Sequence, residues 1–318
     1  MFGILNIHKP SGWTSRDVVN RVQGRVRPVK VGHAGTLDPL ATGVLVVAVG
    51  PATRLISLVQ QMPKEYQATF LLGRTSPSED TQSKVTCLRS VAQPTLADIE
   101  AALPAWIGDV EQRPPIYSAL KIHGRRAYQL ARQGCEVSLP PRIVSIFSIN
   151  IVRYAYPELE LSIVCGSGTY VRSLGRDLAE SLGTGAVMSA LNRVAIGRYL
   201  DADAVDIEQL QATSIKTQLL SPLTAVSHLP QAMLSAEQAE EIRHGRFIAA
   251  AEVNIAGNTS FASTSGPARP VSGAALTPGK NESRGPIIAA TNPLGQLVAL
   301  LGARSPGRLG PLCNFNPC

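Results

Sequence analysis

One aspartate lies in a loop of small residues and proline, a setting that suits a catalytic carboxylate. Asp38 occurs in the stretch GHAGTLDPLATG, between Gly35 and Pro39-Leu40, and an apolar run from Val44 to Val49 follows. A single loop aspartate is more often a turn former or a helix cap. Here the small neighbours would let a ligand approach the backbone closely, and a rigidly held carboxylate can act as a nucleophile.

Two tyrosines and an arginine could act together with such a carboxylate. Tyr66 opens an apolar segment that ends at Gly73, whereas Tyr170 and Arg172 follow the turn Gly166-Ser167-Gly168. Taken alone, a tyrosine is more often a core residue with a satisfied hydroxyl, and an arginine in the first turn of a helix is a solvated charge. A tyrosine ring can also stack on a nucleobase, and a guanidinium can aim a carboxylate.

The charge distribution favours a polyanionic partner. The net charge is +7, from 30 Lys and Arg against 23 Asp and Glu. Residues 1–54 and 113–142 are both strongly basic, and Glu136 is the only acid in the second zone. Nucleic acid would explain both zones, but a solvated basic face remains the alternative.

Composition argues against several other classes of protein. No apolar run reaches the ~18 residues that a membrane-spanning helix needs, and MFGILNIHKPSGWTS does not resemble a secretory signal. The five cysteines and five histidines are scattered, so spacing indicates no metal site. We expect a cytoplasmic protein with reduced thiols.

The elements around these residues indicate an α+β fold. The pattern predicts a strand at GILNI, a helix capped by Thr14 or Ser15 that runs to Val26, and a buried strand at 44–49. Further strands are expected at 66–73 and 159–165, and helices at 53–62, 96–103 and 169–182. Because strands and helices do not alternate regularly, we expect a mixed, mostly antiparallel sheet flanked by helices.

The composition changes near residue 227, which predicts a second domain. Residues 1–227 would form the catalytic domain, and residues 228–302 a small β-rich domain with a capping box at Ser235 and a hairpin around Asn292. Residues 256–286 are rich in Gly, Ser, Thr, Ala and Pro, so a weakly ordered insertion is expected there. Residues 303–318 show no pattern and are interpreted as a tail.

The stretch from His33 to Gly43 resembles the signature of the bacterial TruB family of tRNA pseudouridine synthases. Other segments resemble that family's motifs in the same order along the chain: Lys9-Pro10-Ser11-Gly12-Trp13-Thr14-Ser15, Lys64-Glu65-Tyr66, Pro114-Pro115-Ile116-Tyr117-Ser118-Ala119-Leu120-Lys121, Gly168-Thr169-Tyr170-Val171-Arg172 and Leu191-Asn192-Arg193. The resemblance implies a pseudouridine-synthase fold, a small PUA-like C-terminal domain, and isomerisation of the uridine at position 55 in the T-arm of tRNA.

The resemblance also implies roles for individual residues. Asp38 would be the nucleophile, attacking either the uracil ring or the ribose. Tyr66 would stack on the base, Tyr170 would assist proton removal, and Arg172 would pair with Asp38. The remaining assignments are to RNA or substrate contact: His33 in the space left by the flipped nucleotide, Leu191 in the pocket, and Lys9, Lys121, Arg125, Arg126 and Arg132 on the RNA, the last four within an RNA-gripping segment of residues 113–142.

This chemistry needs no redox step, so no cofactor and no metal are expected, and the enzyme would act as a monomer. The target base must leave its stack to react. The chain departs from the family pattern at Gly73–Ser83, which leaves the role of Asp80 open, and at Asn192, where an arginine is common. Two other readings stay open: an RNA-binding or tRNA-folding chaperone of the same fold, and a guide-RNA-dependent relative acting on ribosomal RNA.

Overall fold

The computed structural model describes residues 1–118, 120–122, 124–133, 138–208, 210, 214–256 and 286–315. The α-helices are α1 (Ser15–Val26), α2 (Ile56–Gln61), α3 (Leu96–Ala102), α4 (Ala127–Arg132), α5 (Val171–Ser181), α6 (Ile215–Gln218) and α7 (Ala236–Arg243). Short 3-10 helices lie at Gly50–Leu55, Leu103–Trp106, Asp201–Asp203, Pro222–Ala225 and Ala250–Glu252. The strands are β1 (Gly3–Lys9), β2 (Val31–His33), β3 (Thr42–Val49), β4 (Lys64–Leu72), β5 (Arg74–Thr75), β6 (Thr86–Cys87), β7 (Gly108–Gln112), β8 (Lys121–Ile122), β9 (Arg125–Arg126), β10 (Arg142–Ala155), β11 (Glu158–Cys165), β12 (Ala186–Ile196), β13 (Tyr199–Leu200), β14 (Val205–Asp206), β15 (Gln231–Met233), β16 (Ile248–Ala249), β17 (Asn254–Ala256), β18 (Ile288–Thr291), β19 (Leu297–Ser305) and β20 (Arg308–Asn314).

A ten-stranded sheet forms the first domain, in the order β14-β1-β3-β12-β4-β11-β10-β7, with β2 added to β3 and β13 to β12. The pairs β1–β14 and β3–β12 are parallel, and the other pairs are antiparallel. The mixed, mostly antiparallel sheet predicted from the sequence is therefore confirmed.

Helices cover the sheet because each presents an apolar stripe to it. In α1 the buried residues are Ser15, Val18, Val19, Val22 and Val26, which recur at helical spacing. Thr14 caps the helix as predicted, since its side chain accepts from the Asp17 amide and Asp17 returns the bond. Helix α5 packs against strands β12 and β4 and buries Leu174 and Leu178 in the core that also holds Tyr66 and Leu191.

The C-terminal domain is a six-stranded sheet in the order β16-β20-β19-β18-β15-β17. The predicted hairpin is present as β18 and β19, which pair antiparallel. The interpretation of residues 303–318 as a tail is wrong for most of that segment, because β19 continues to Ser305 and β20 pairs with it. The end of β20 then returns to the first domain, where the rings of Phe315 and Phe2 stack with centroids 5.4 Å apart.

Sequence analysis missed that strand because Gly310 and Pro311 interrupt its alternation of apolar residues. Most of the expected insertion at 256–286 lies outside the described residues. Within the described ranges, no helix is long and apolar enough to cross a bilayer.

Candidate active site

The loop that carries Asp38 (residues 34–41, the Asp38 loop) connects β2 to β3 and is held on both sides. The Gly12 amide donates to the Pro39 carbonyl at 2.8 Å. The Ser15 hydroxyl accepts from the Leu37 amide at 2.8 Å and is itself buried. These bonds fix the backbone directly before and after Asp38, so the carboxylate starts from a defined position.

Lys9 fixes the same loop from inside the protein. Its side chain is 0% exposed, and Nζ donates to the carbonyls of Pro10 at 2.8 Å, Trp13 at 2.7 Å and Pro39 at 3.3 Å. Burial lowers the pKa of Lys9 to about 8, although nearby Asp38 opposes that shift. Lys9 is therefore not placed to contact RNA as the resemblance implied, because its three donors are already used within the protein.

Arg172 forms an ion pair with Asp38 through two nitrogens. Nε lies 2.9 Å from Oδ2 of Asp38, and Nη2 donates to Oδ1 at 3.3 Å. The arginine side chain is 4% exposed and the aspartate side chain 35%. The buried Arg172 thus orients the carboxylate of Asp38 from the protein side, and the exposed side of the carboxylate remains accessible to a substrate.

Backbone carbonyls and a second carboxylate complete the surroundings of Arg172. Nη1 donates to the Ser78 carbonyl and Nη2 donates to the Tyr117 carbonyl at 3.2 Å. Asp80 Oδ2 lies 3.6 Å from Nη1, and the Asp80 side chain is 5% exposed. The sequence left the role of Asp80 open because residues 73–83 depart from the family pattern. In the structure Asp80 lies beside Arg172, the arginine that pairs with Asp38.

Tyr66, Leu191 and Arg193 form the wall next to this pair. Tyr66 on β4 is 8% exposed and belongs to the same apolar core as Leu37 and Leu191. The register places Arg193 opposite Tyr66. Burial, the largest effect, raises the pKa of Tyr66, although the nearby guanidinium charge of Arg193 acts to lower it, so the side chain is a neutral phenol at physiological pH.

Arg193 also connects the wall to the Asp38 loop. Nε donates to the Val44 carbonyl at 2.7 Å and Nη2 to the Gly35 carbonyl at 3.1 Å. The backbone of β12 passes so close to the loop exit that a Cβ on Gly43 would lie 2.4 Å from the Arg193 carbonyl oxygen. Gly43 also has φ +96, so only glycine fits there.

Tyr170 lies immediately before α5 and is held by Gln112. The Tyr170 amide donates to Oε1 of Gln112 at 2.8 Å, and Nε2 of Gln112 donates to the Tyr170 carbonyl at 3.0 Å. The Arg142 guanidinium lies over the ring, 4.9 Å from its centroid, a cation–π arrangement. The structure brings Tyr170 and Arg172 together at the start of one helix, two residues apart.

His33 ends β2 directly before the Asp38 loop. Burial is the main cause that lowers the pKa of its imidazole, so the ring is neutral at physiological pH. A neutral ring at this edge can enter a nucleic-acid stack without carrying a charge into it.

The gripping segment (residues 113–142) begins where β7 ends. Strands β8 and β9 pair as a short hairpin, and α4 follows. Arg125 is exposed and its Nη2 donates to Oε1 of Gln133. Lys121, Arg126 and Arg132 lie on these elements, but their side chains are outside the described part of the structure.

Sequence analysis missed several residues of this site. The buried functional side chains not assigned in advance are Ser15, Gln112 and Arg193, and Asp80 was left open. Only their positions beside recognised motifs could have indicated them. Asn192, where an arginine was expected, connects Thr42 Oγ1 at 3.1 Å to Asp201 Oδ2 at 3.2 Å. In the described ranges no group of three or more His, Cys, Asp or Glu side chains is placed to hold a metal ion.

Two family models match the chain consecutively. Residues 23–171 match the N-terminal domain of the TruB family of pseudouridylate synthases, and residues 172–239 match the C-terminal domain described for tRNA pseudouridylate synthase B. The two matches meet between Val171 and Arg172, inside the proposed site.

Curated relatives agree with these matches. The chain is 39% identical to tRNA pseudouridine synthase B of Synechocystis sp. over 294 residues, which cover 91% of this chain and 98% of the relative. It is 39% identical to the Arthrobacter sp. protein of the same name, covering 99% and 97%, and 43% identical to that of Acaryochloris marina, covering 76% and 84%.

Solved structures share the fold at low sequence identity. A chain of a Cbf5-Nop10-Gar1 complex superposes with a TM-score of 0.67 at 24% identity, covering 95% of this chain and 78% of that one. A chain of an H/ACA RNP bound to a substrate RNA containing 2'-deoxyuridine gives 0.69 at 22% identity, covering 99% and 86%.

Proposed function

The chain belongs to the TruB family of pseudouridylate synthases and isomerises uridine to pseudouridine in tRNA, and we propose that its target is the uridine at position 55 of the T-arm, with Asp38 as nucleophile. The observation that carries the catalytic assignment is the clamp of a buried arginine on a half-exposed carboxylate. The T-arm assignment is supported by the ordered motifs around Lys9, Asp38 and the gripping segment.

The target uridine is first flipped out of its stack, which costs a few kcal/mol. Stacking on an aromatic side chain returns about 1–3 kcal/mol per base. Tyr66 supplies that ring, Leu191 closes the pocket beside it, and His33 fills the space that the base leaves. Tyr66 is already packed in the core, so little ordering remains to be done when the base arrives.

The carboxylate of Asp38 then forms a covalent bond, either to the uracil ring or to the ribose. The glycosidic C–N bond breaks, the base rotates, and a C–C bond forms from the uracil carbon to the same sugar carbon. Departure of Asp38 regenerates the free carboxylate. Arg172 keeps that oxygen directed at the substrate through two hydrogen-bonding nitrogens.

Proton balance closes the reaction without an external reactant. The uracil carbon that joins the sugar loses its proton, and the ring nitrogen freed from the sugar gains one. Tyr170 lies at the N-terminus of the helix that carries Arg172, and we assign it to assisting the proton removal. Substrate and product have the same composition, so no redox partner enters the balance.

We propose that the enzyme acts as a monomer in the cytoplasm, where tRNA is found. Analytical ultracentrifugation of the free protein would test the first point. A dimer whose dissociation abolishes activity would contradict it.

The function is tested with unmodified tRNA transcripts, mapped by pseudouridine-specific carbodiimide chemistry. We expect one product site, in the T-arm, and the same product from an isolated T-arm stem-loop. A matched transcript with cytidine at the target position should give none. Product at another position would contradict the T-arm assignment, and tight binding without product would favour the RNA-binding alternative.

A further inference from the structure

Helix α5 carries two arginines one turn apart, and each holds the same pair of loops. Arg172 donates to the Ser78 carbonyl and to the Tyr117 carbonyl. Arg176 pairs with the Glu79 carboxylate and donates to the Arg113 carbonyl. Residues four apart share a helix face, so one face of α5 joins loop 76–83 to the start of the gripping segment twice. Only the first of these connections touches Asp38.

The second connection uses every nitrogen of the Arg176 guanidinium. Nη1 pairs with Glu79 Oε1, Nη2 reaches the Arg113 carbonyl at 3.1 Å, and Nε donates to Asp177 Oδ1 at 2.7 Å. The opposite oxygen of Glu79 accepts from the Ser173 hydroxyl at 2.7 Å. A planar guanidinium can satisfy three directions at once, and a lysine cannot.

Glu79 adopts an uncommon backbone conformation. Its φ is +62, in the left-handed region that side-chain-bearing residues rarely adopt. The side chain is 10% exposed, and the backbone carbonyl of Glu79 accepts from the Met188 amide at 3.0 Å. The carboxylate is thus held in a buried position, where its partners are Ser173 and Arg176.

The start of the gripping segment is thereby attached to α5 at successive points. Gln112 bonds the Tyr170 backbone in both directions, Arg113 is held by Arg176, and Tyr117 is held by Arg172. These contacts set the direction in which the segment leaves the body of the protein. A shift at this point would move the basic residues that lie between it and Arg142, where the segment rejoins the sheet through β10.

We propose that Arg176, held by Glu79 and Ser173, is a positioning residue for RNA binding that sets how the gripping segment meets the tRNA. The proposal rests on the proposed RNA-gripping role of residues 113–142. Arg176 would therefore affect the affinity for tRNA, whereas Arg172 contacts Asp38 directly. Nothing in the proposal requires Arg176 to touch the substrate.

A direct phosphate contact by Arg176 is the competing explanation, and Glu79→Gln separates the two. This substitution removes a negative charge from the protein, so an electrostatic contact predicts unchanged or tighter tRNA binding. The positioning role predicts weaker binding, because a neutral amide holds the guanidinium less firmly than a carboxylate does. The opposite signs make the comparison decisive.

The experiment measures tRNA dissociation constants and single-turnover rates at saturating tRNA for Glu79→Gln, Arg176→Lys and Ser173→Ala. We expect the dissociation constant to rise about fivefold for Glu79→Gln and about tenfold for Arg176→Lys, with single-turnover rates within about twofold of wild type. Ser173→Ala is the mildest change and should give about a twofold rise. Arg153→Gln is the control for loss of an ion pair elsewhere, since Arg153 pairs with Glu158 at an exposed position, and it should bind as wild type does.

Thermal unfolding accompanies each variant, and Ser173→Ala keeps the test valid if a buried charge variant fails to fold. Unchanged affinity in all three variants would overturn the proposal, as would lost chemistry at unchanged affinity. Tighter binding by Glu79→Gln would assign Arg176 to a phosphate instead. Failure of wild type itself to bind and convert the T-arm substrate would count against the proposed function, so the two failures are distinguishable.

Discussion

The Asp38 loop and the gripping segment both connect strands of the main sheet, the first joining β2 to β3 and the second joining β7 to β10, and they are built differently. The Asp38 loop is surrounded by buried donors, including Lys9 at 0% and Arg193 at 1% exposure, and its backbone is bonded before and after the aspartate. The gripping segment is bonded at both ends, by Gln112, Arg172 and Arg176 at its start and through Arg142 of β10, which pairs with Gln112, at its end. Arg125, which lies between these ends, is exposed. One loop is therefore fixed directly around its key residue, and the other is fixed where it joins the sheet.

The difference follows from what each loop must do. A covalent step needs atoms placed within a few tenths of an ångström, and buried hydrogen bonds supply that precision at the cost of desolvating cations. Hydrogen bonds to backbone carbonyls offset this desolvation cost for the three buried cations Lys9, Arg172 and Arg193. Phosphate contacts tolerate looser geometry, since solvated charges act over roughly 10 Å at moderate salt.

The strongest test of the fixed loop is Asp38→Asn, an isosteric change that removes the proposed nucleophile. We expect single-turnover conversion to fall by at least about 10⁴-fold, with tRNA affinity within about threefold of wild type. Arg172 keeps the carbonyls of Ser78 and Tyr117 and the neighbouring Asp80, so the fold should survive. Rapid conversion by the variant would remove Asp38 from the mechanism.

Arg172→Lys tests whether aiming the carboxylate matters beyond supplying a positive charge. The single ammonium of lysine cannot bond Asp38, Ser78 and Tyr117 together. We expect a loss of about 10²–10³-fold in the single-turnover rate, smaller than for Asp38→Asn. Arg176→Lys, the same change one helical turn later, is the control, and it should alter affinity rather than rate. Equal effects at the two positions would contradict the division of roles along α5.

The contrast between the loops also explains what could be read from the sequence. Strand and helix patterns such as 44–49 and 169–182 are local, so β3 and α5 were predicted, and Asp38 was found because its motif is contiguous. Arg193 and Gln112 act through partners 158 and 58 residues away along the chain, and no local pattern reports such contacts. Lys9 was misassigned because a motif identifies the residue but does not show that its side chain is buried.

The burial of Lys9 beneath the Asp38 loop can be measured through the pH dependence of protein stability. Burial depresses the pKa of Lys9 from 10.5 to about 8, so between these values the folded protein has released a proton that the unfolded chain still binds. Stability therefore rises with pH above about 8 and loses this contribution as pH falls to about 8. Relative to Lys9→Met, wild type should gain up to about 2 kcal/mol in unfolding free energy between about pH 8 and 9.5.

Urea unfolding of both proteins across this range measures the difference and cancels other titrations, including that of Lys64. Lys84→Met, a substitution at an exposed position, is the matched control and should follow wild type. A constant difference between wild type and Lys9→Met would mean that the ammonium is not desolvated in the folded state. The fixed loop would then differ less from the gripping segment than the geometry indicates.

The smallest effect is expected for substitution of Arg125, which tests the solvent-exposed gripping segment. Replacing one exposed arginine by glutamine should weaken tRNA binding about threefold at moderate salt and reduce the slope of log affinity against log salt by about 0.7–0.9. The chemical step should not change, because α5 and the Asp38 loop are untouched. Fluorescence titrations at several salt concentrations give both quantities.

Arg153→Gln again provides the control, since Glu158 and Glu160 already neutralise that arginine locally. If Arg125→Gln leaves the salt slope unchanged, the gripping segment does not contact phosphate through that residue. If it slows chemistry instead, the segment is coupled to Asp38 through Tyr117 and Arg172. An effect on affinity and slope alone is what an exposed charge would give, because Arg125 can be replaced without moving the atoms that hold Asp38.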